Sequence, residues 1–322
     1  MKKILAMLLA VMMLLSVASV AMAEGTTIAT DAFKKVYNLT NAGTTSPEET
    51  FQFTLICTNV TDAREGITAT DAPTLTATID AMTAGNAKNI SLSADKDFPS
   101  IGWYTYTITE TAGTTAGVTY DTAVRTLKVL VVNDNENGLR IESVGAVKNS
   151  DNMKDDTFTN VYSAGTLSIE KQVTGNLGDK DKYFTVTVTL TGESGKTYAD
   201  SYAVTGGKYT AGETIKVGEP KTFELKNGDT ITIANLPYGV TYTVVENDYT
   251  GDKGGYDAAT HTGDTGENAK IDGATQNVTI TNNKGGTIDM GVMLDSMPYV
   301  LVLAVVGAAV IALIAKKRRA ED

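Results

Sequence analysis

The stretch FTNVYSAGTLSIEK, Phe158–Lys171, ends one β-strand pattern on an asparagine and begins the next on a lysine. Apolar or aromatic residues alternate with polar residues on both sides of Ser163. An alternation of period two predicts a strand that buries one face, and Asn160 and Lys171 fall on the buried faces. The stretch therefore predicts a boundary between two β-domains, with the first ending at residue 163 and the second starting at residue 164.

The composition favours strands and turns over helices. Threonine and valine are abundant, and the chain contains 30 glycines and 6 prolines. β-Branched residues suit a pleated, half-buried surface, while glycine suits tight turns. At 322 residues the chain is long enough for two ordinary domains and additional processing segments. The predicted fold class is all-β.

Both ends of the chain are predicted to lie outside the folded domains. Residues 1–23 carry two lysines, a short apolar run and the sequence Ala-Met-Ala, which is typical of a signal peptide, the alternative being a permanent N-terminal anchor. Residues 287–322 contain an apolar run at 299–315 and a basic tail at 316–319. This pattern predicts a C-terminal transmembrane helix with a cytoplasmic tail, the alternative being a buried core helix.

The charge and the cysteine content restrict the possible functions. The leader and the tail hold six basic and two acidic residues, so the exported part keeps 21 Lys/Arg against 36 Asp/Glu, a net charge of −15. Such a surface repels nucleic acid and anionic lipid. Cys57 is the single cysteine, so no intrachain disulfide can form, and it is predicted to be a small buried apolar residue. An exported β-protein without disulfides needs a different covalent cross-link to stabilise it.

Three residue types recur in the same order in the two predicted domains. A lysine lies on the core-facing side of the first strand, a glutamate follows 75 residues later, and an asparagine lies in the last strand. These residues are Lys35, Glu110 and Asn160 in the first domain and Lys171, Glu246 and Asn282 in the second. The matched order and spacing indicate a divergent internal duplication, with domains at 24–163 and 164–286.

These residue types can form an amide bond with one another inside an apolar core. Burial lowers the pKa of a lysine and raises that of a glutamate, so both groups can be neutral. The neutral amine can attack the asparagine carboxamide, while the glutamic acid donates to the carboxamide oxygen and moves protons so that ammonia leaves. Proximity alone contributes about 7–11 kcal/mol to such a step. Glu110 and Glu246 are thus the predicted catalytic residues of a reaction that occurs once, without enzymatic turnover.

Two other interpretations of these residues remain open at this point. A single Lys, Glu and Asn on strands is more often a snorkelling lysine, an edge acid and a turn residue. A register error of one residue would also replace Lys35 by Lys34, or Asn282 by Asn283.

If the cross-links form, residues 161–170 are uncross-linked backbone between two locked domains, and we expect this segment to stretch under force.

Several of these segments resemble known families. Thr30–Asn38 (TDAFKKVYN), Phe51–Leu55 (FQFTL), Trp103–Gly113 (WYTYTITETAG) and Phe158–Lys171 resemble the streptococcal pilin isopeptide-linkage domain of Gram-positive major pilins. Lys171–Leu190, Leu236–Asp248 and Val278–Lys284 resemble collagen-adhesin B-type stalk domains. The resemblance implies two tandem immunoglobulin-like β-sandwiches, Lys–Asn isopeptide bonds at the six residues named above and a place in a pilus shaft.

The C-terminal segment resembles the sorting signal that sortases recognise in the same family. Gly291, Asp295, Pro298 and Tyr299 match the family pattern, whereas Asp289 and Met290 stand where the family has proline and threonine. The resemblance implies cleavage between Met290 and Gly291, and the alternative is a protein that stays anchored in the membrane. It also implies a lysine that joins neighbouring subunits, for which Lys154 is preferred over Lys148.

Together these patterns predict a cell-surface pilus shaft subunit. Its expected partners are a sortase, neighbouring copies of itself and a peptidoglycan precursor, and no cofactor, metal or nucleic acid is expected. A monomeric anchored adhesin is the alternative. A secreted hydrolase is a third interpretation, but the sequence offers no nucleophile and base at a recognisable spacing.

Overall fold

The computed structural model describes residues 25–134, 138–147, 153–210, 212–266, 269–286 and 291–321. The predicted signal peptide, Lys148 and Met290 lie outside these residues. Within them the chain forms eighteen strands, a single 3₁₀ turn at Gly251–Lys253 and a C-terminal helix. The fold is therefore nearly all β, as the composition predicts.

The first module has two sheets that enclose an apolar core. Its strands are β1 (Thr26–Leu39), β2 (Gln52–Thr61), β3 (Leu75–Thr78), β4 (Asn86–Ala94), β5 (Gly102–Thr111), β6 (Val118–Thr119), β7 (Arg125–Asp134), β8 (Gly138–Ala146) and β9 (Thr157–Tyr162). One sheet has the order β3-β4-β1-β9-β6 and the other β2-β5-β7-β8. Phe33 from the first sheet packs in one core with Tyr106 and Leu127 from the second.

The second module is built in the same way. Its strands are β10 (Ala164–Thr174), β11 (Phe184–Thr191), β12 (Tyr202–Gly206), β13 (Thr214–Ile215), β14 (Lys221–Leu225), β15 (Thr230–Pro237), β16 (Thr241–Glu246), β17 (Thr260–Gly263) and β18 (Thr275–Asn283). One sheet has the order β13-β12-β15-β10-β18-β17 and the other β14-β11-β16. Ile169, Val188 and Ile280 belong to the core between the sheets.

The first and the last strand of each module lie side by side and run in the same direction. β1 pairs with β9 in parallel, with Tyr37 opposite Asn160. β10 pairs with β18 in parallel, with Lys171 opposite Ile280. Residues that are far apart in the chain are thereby placed on neighbouring strands. This topology brings the lysine of each module close to its asparagine.

The burial pattern follows the predicted period of two. Lys35 is fully buried while its neighbour Lys34 is exposed, and Asn282 is 1% exposed. Cys57 differs from the prediction, since its side chain is partly exposed rather than buried. The pairing of β2 with β5 shifts register between Cys57 and Asn59, and at this irregularity Cys57 packs against the edge of the core without being fully covered.

The boundary stretch is more ordered than expected. β9 ends at Tyr162 and β10 begins at Ala164, so Ser163 alone lies between two strands. β10 is hydrogen-bonded to β15 on one side and to β18 on the other. The expectation that residues 161–170 can stretch is therefore wrong, because nearly all of them are already extended and paired within sheets.

The C-terminal helix, α1, runs from Gly291 to Glu321. Its described apolar side chains are exposed, for example Leu301 at 67%. In the portion of the chain that the structure covers, no helix reaches both the length and the hydropathy of a membrane span.

Candidate functional site

Each module holds its lysine, glutamate and asparagine in one buried cluster between the sheets. In the first module, β1 supplies Lys35, β5 supplies Glu110 and β9 supplies Asn160. The alternating patterns of these strands turn all three side chains inward, since Tyr106 and Ile108 on the same face as Glu110 are also buried. Lys35 and Asn160 are fully buried, and the Glu110 side chain has no exposed area.

In the first module, the Glu110 carboxylate bridges the other two side chains. Lys35 Nζ donates to Glu110 Oε2 at 2.5 Å, and Asn160 Nδ2 donates to Glu110 Oε1 at 2.5 Å. The remaining polar atom of the amide, Asn160 Oδ1, accepts a hydrogen bond from the backbone N–H of Asp121 at 2.8 Å. The Lys35 ammonium also lies 4.4 Å from the centre of the Phe51 ring.

The surroundings shift the two ionisable groups toward their neutral forms. Burial lowers the pKa of Lys35, although the hydrogen bond and the charge of Glu110 oppose this change. Burial likewise raises the pKa of Glu110, against the opposing effects of Lys35 and Asn160. A neutral amine next to a neutral carboxylic acid is the state in which the lysine is nucleophilic.

The orientation of the amide differs from the expected one. The predicted contact ran from the glutamic acid to the asparagine oxygen, whereas Glu110 contacts the asparagine nitrogen. The reason is that the Asp121 N–H already occupies the oxygen. Glu110 therefore contacts both nitrogen atoms of the proposed reaction, the Lys35 nitrogen that attacks the carbonyl carbon and the Asn160 nitrogen that leaves it.

The second module brings its three residues together with different contacts. Lys171 Nζ donates directly to Asn282 Oδ1, and it also donates to the backbone oxygens of Gln172 at 3.0 Å and Ile280 at 3.3 Å. Lys171 Nζ lies 3.4 Å from Glu246 Oε1. The Phe184 ring, 4.4 Å from Nζ, occupies the place that Phe51 has in the first module.

Burial governs the second cluster as well. Lys171 is fully buried, which lowers its pKa, while the charge of Glu246 opposes the shift. The Glu246 side chain is 1% exposed, and neither carboxylate oxygen makes a hydrogen bond to a described residue. The charged neighbour of this carboxyl group is Lys171, whose Nζ lies 3.4 Å from Oε1.

Two features of the clusters were not found from the sequence. The first feature is the aromatic ring beside each lysine, which is Phe51 in the first module and Phe184 in the second. Each is the first buried residue of the next long apolar stretch after its lysine, so this repetition could have been found in the sequence. Asp121 lies in the loop between β6 and β7 and acts through its backbone. A backbone donor leaves no signature in a single sequence, because every residue except proline carries one.

The proposed polymerisation residues lie away from both clusters. Lys154 is half exposed and forms an ion pair with Asp156 at 3.0 Å, just before β9. Gly291 begins helix α1. Lys148 and Met290 fall outside the described residues.

Two family descriptions match the chain. Residues 31–163 match the Spy0128-like isopeptide containing domain, and residues 165–284 match a domain of unknown function, DUF7601. A protein named Pilin from Streptococcus pyogenes serotype M1 is 29% identical over 239 residues, which cover 67% of this chain and 70% of that protein. The description of the second family does not mention collagen-adhesin B-type domains, so that resemblance stays a prediction.

Solved structures of streptococcal pilins have a similar fold. The T3.2 major pilin of Streptococcus pyogenes aligns with a TM-score of 0.54 at 24% identity, covering 81% of this chain and 99% of that one. Another major pilin of Streptococcus pyogenes aligns with a TM-score of 0.54 at 23% identity, covering 82% and 99%. At these identities the likeness to the solved structures concerns the fold. Taken together, residues 31–163 match the Spy0128-like isopeptide containing domain, and the chain is similar to a pilin of Streptococcus pyogenes.

Proposed function

We propose that this chain is a structural subunit of a cell-surface pilus shaft, in which each module locks itself by one Lys–Asn isopeptide bond. The observation that carries the proposal is the buried Lys–Glu–Asn cluster between the sheets of both modules, in which the lysine and the asparagine lie on the neighbouring first and last strands. Burying a lysine side chain destabilises the folded protein unless a specific interaction or reaction compensates for it. Two such lysines, each beside a carboxyl group and a carboxamide, support a covalent use.

In the first module, the reaction joins Lys35 Nζ to Asn160 Cγ. The neutral amine attacks the carbonyl carbon, and the C=O electron pair moves onto Oδ1. The bond from Cγ to Nδ2 then breaks, and Nδ2 leaves as ammonia. Glu110 takes one proton from the attacking nitrogen and supplies one to the leaving nitrogen, since it is hydrogen-bonded to both.

In the second module, the same step joins Lys171 to Asn282. Here the lysine is already in contact with the carboxamide oxygen, and Glu246 lies next to the lysine. Glu246 must approach the carboxamide nitrogen during the reaction in order to protonate the leaving group. The two sites thus share the chemistry but start from different hydrogen-bond arrangements.

The bonds stabilise each module by restricting its unfolded chain. Lys35 and Asn160 are 125 residues apart, and Lys171 and Asn282 are 111 residues apart. If the arithmetic for disulfides holds for amide cross-links, each bond contributes about 5 kcal/mol to the free energy of unfolding. The bonds also connect the terminal strands of each module, so tension applied to the two terminal strands of a module passes through its bond without separating the sheets.

Assembly requires export and a sortase. In this proposal residues 1–23 direct export and are removed, and the helix at 299–315 with its basic tail holds the precursor in the membrane. A sortase then cleaves between Met290 and Gly291 and transfers the new carboxyl end to Lys154 of a neighbouring copy, or to a peptidoglycan precursor. A monomeric anchored adhesin remains the second candidate, because Asp289 and Met290 depart from the family's sorting pattern.

Two measurements test the proposal. The intact mass of residues 24–286 should be lower than the sequence mass by two ammonia molecules, and a full sequence mass would exclude both cross-links. Polymerisation is tested separately on surface extracts. A ladder that survives boiling in detergent is expected for a shaft subunit, whereas a single monomer band would favour the anchored adhesin.

A further inference from the structure

The loop between β6 and β7 holds the carboxamide of Asn160 in a fixed position. The backbone N–H of Asp121 donates to Asn160 Oδ1 at 2.8 Å. The Asp121 carboxylate in turn accepts a hydrogen bond from the backbone N–H of Thr159 at 2.9 Å. One loop residue therefore contacts two consecutive residues of β9, and these contacts fix both the strand and the reacting side chain.

A buried arginine fixes Asp121. Arg125 Nη1 and Nη2 donate to the two oxygens of the Asp121 carboxylate at 3.1 and 3.0 Å, and Nε donates to Asp155 Oδ1 at 2.8 Å. The guanidinium group lies 4.1 Å from the centre of the Phe158 ring and is 8% exposed. A two-pronged pair of this kind restricts orientation more strongly than a single contact.

The Asp121 carboxylate is well suited to stay ionised in this position. Burial raises its pKa, but hydrogen bonds from Arg125 and from the N–H groups of Thr159 and Ala123 outweigh this effect, so the pKa lies below its ordinary value. The Asp121 carboxylate is consequently ionised at neutral pH and pairs with Arg125. The donor to Asn160 is thus held by a charged anchor that does not titrate near neutral pH.

We propose that the Asp121 N–H stabilises the negative charge on Asn160 Oδ1 during the cross-linking reaction, and that Arg125 is the positioning residue that holds this donor. The inference rests on the proposed Lys35–Asn160 bond. When Lys35 Nζ adds to Cγ, Oδ1 becomes an oxyanion, and it returns its electron pair when ammonia leaves. A donor already at hydrogen-bond distance stabilises this charge without reorganisation.

The second module provides an internal comparison. Among the described residues, Asn282 Oδ1 accepts a hydrogen bond from Lys171 Nζ and from no backbone N–H, so nothing there corresponds to the Asp121 N–H of the first module. Changes in the β6–β7 loop should therefore affect the first reaction and leave the second at its usual rate. Both reactions can be followed in the same molecule.

The decisive variant is Asp121→Pro, which lacks the N–H. Its matched control is Val124→Pro, which places proline in the same loop at an exposed residue. Chains are made by cell-free synthesis, quenched in denaturant at successive times, and digested so that each site's loss of ammonia is read by peptide mass. Trp103, the single tryptophan, lies on β5 and reports whether the first module has folded.

Asp121→Pro should cross-link the first site about 10²–10³ times more slowly than the control, with normal Trp103 emission and a normal rate at the second site. A control-like rate at the first site would overturn the proposal. If the Trp103 emission shows that Asp121→Pro does not fold, Arg125→Met is used in its place. A slower reaction at the first site of folded Arg125→Met supports the proposal, and an unchanged rate refutes it. An unaltered chain that loses no ammonia at the first site would instead refute the proposed function.

Discussion

Replacing Glu110 by glutamine should prevent the first cross-link while preserving the packing around it. Glutamine has the same shape as glutamate, and its amide oxygen can still accept a hydrogen bond from Lys35 or from Asn160. It cannot take a proton from one nitrogen and give one to the other, so the reaction loses its proton carrier. The intact mass of the variant should fall short of its own sequence mass by one ammonia molecule, whereas the unaltered ectodomain falls short of its sequence mass by two.

The loss of the bond should also lower the thermal stability of the first module. A cross-link that spans 125 residues contributes about 5 kcal/mol by restricting the unfolded chain. For a module of this size, that loss lowers the Tm by about 15–20 °C. Calorimetry should therefore show one transition shifted down, while the transition of the second module stays in place.

The matched control is Lys34→Gln, which changes the exposed neighbour of Lys35 and should leave both the mass and the transitions unaltered. The reasoning is refuted if Glu110→Gln still lacks two ammonia molecules, because the carboxyl group would then be dispensable. It is equally refuted if the mass changes as expected but the Tm does not, since the bond would then carry no stabilising constraint.

Three further outcomes are expected. Asn282→Ala should restore one ammonia to the intact mass and lower the transition of the second module, while peptide mapping still finds Lys35 joined to Asn160. In Glu110→Gln, Lys35 stays a free amine whose pKa in the folded state lies below its ordinary value of 10.5. The unfolded chain then binds more protons, so the free energy of unfolding should rise as the pH increases from the lowered folded-state pKa toward 10.5. Urea titrations should show no such rise in Glu110→Gln/Lys35→Met. Lys154→Ala should abolish the detergent-resistant ladder without changing the mass deficit, and a persisting ladder would assign the joining lysine elsewhere.

The sequence predicts those parts of the site that depend on strand periodicity. The inward direction of Lys35 and the outward direction of Lys34 follow from a period of two, because successive side chains in a strand point to opposite faces. The same argument selects Asn282 over Asn283. Repetition of the Lys–Glu–Asn order across two modules then links residues that no local pattern connects.

The rest of the site depends on contacts that the sequence pattern does not encode. The parallel pairing of β1 with β9 is a long-range choice of topology, and short strands such as β6 carry no alternation to predict them. The orientation of the Asn160 amide is set by a backbone N–H of a loop, and it reverses the expected contact with Glu110. Arg125 is the first residue of β7, and its burial results from contacts with Asp121, Asp155 and Phe158.

The parallel pairs determine how a cross-linked chain would carry tension. In the second module, Lys171 and Asn282 both lie near the ends of their strands, so a force that enters at the start of β10 runs along β10, crosses the bond and leaves past Asn283. The chain from Gln172 to Thr281 is bypassed and bears no load. Between Asn160 and Lys171 the path has no bypass, yet it consists almost entirely of the paired strands β9 and β10. A strand already rises about 3.3 Å per residue, so it is close to fully extended and force can lengthen it only slightly. Extension of the locked subunit should therefore come from outside this path, at the segment that follows Asn283.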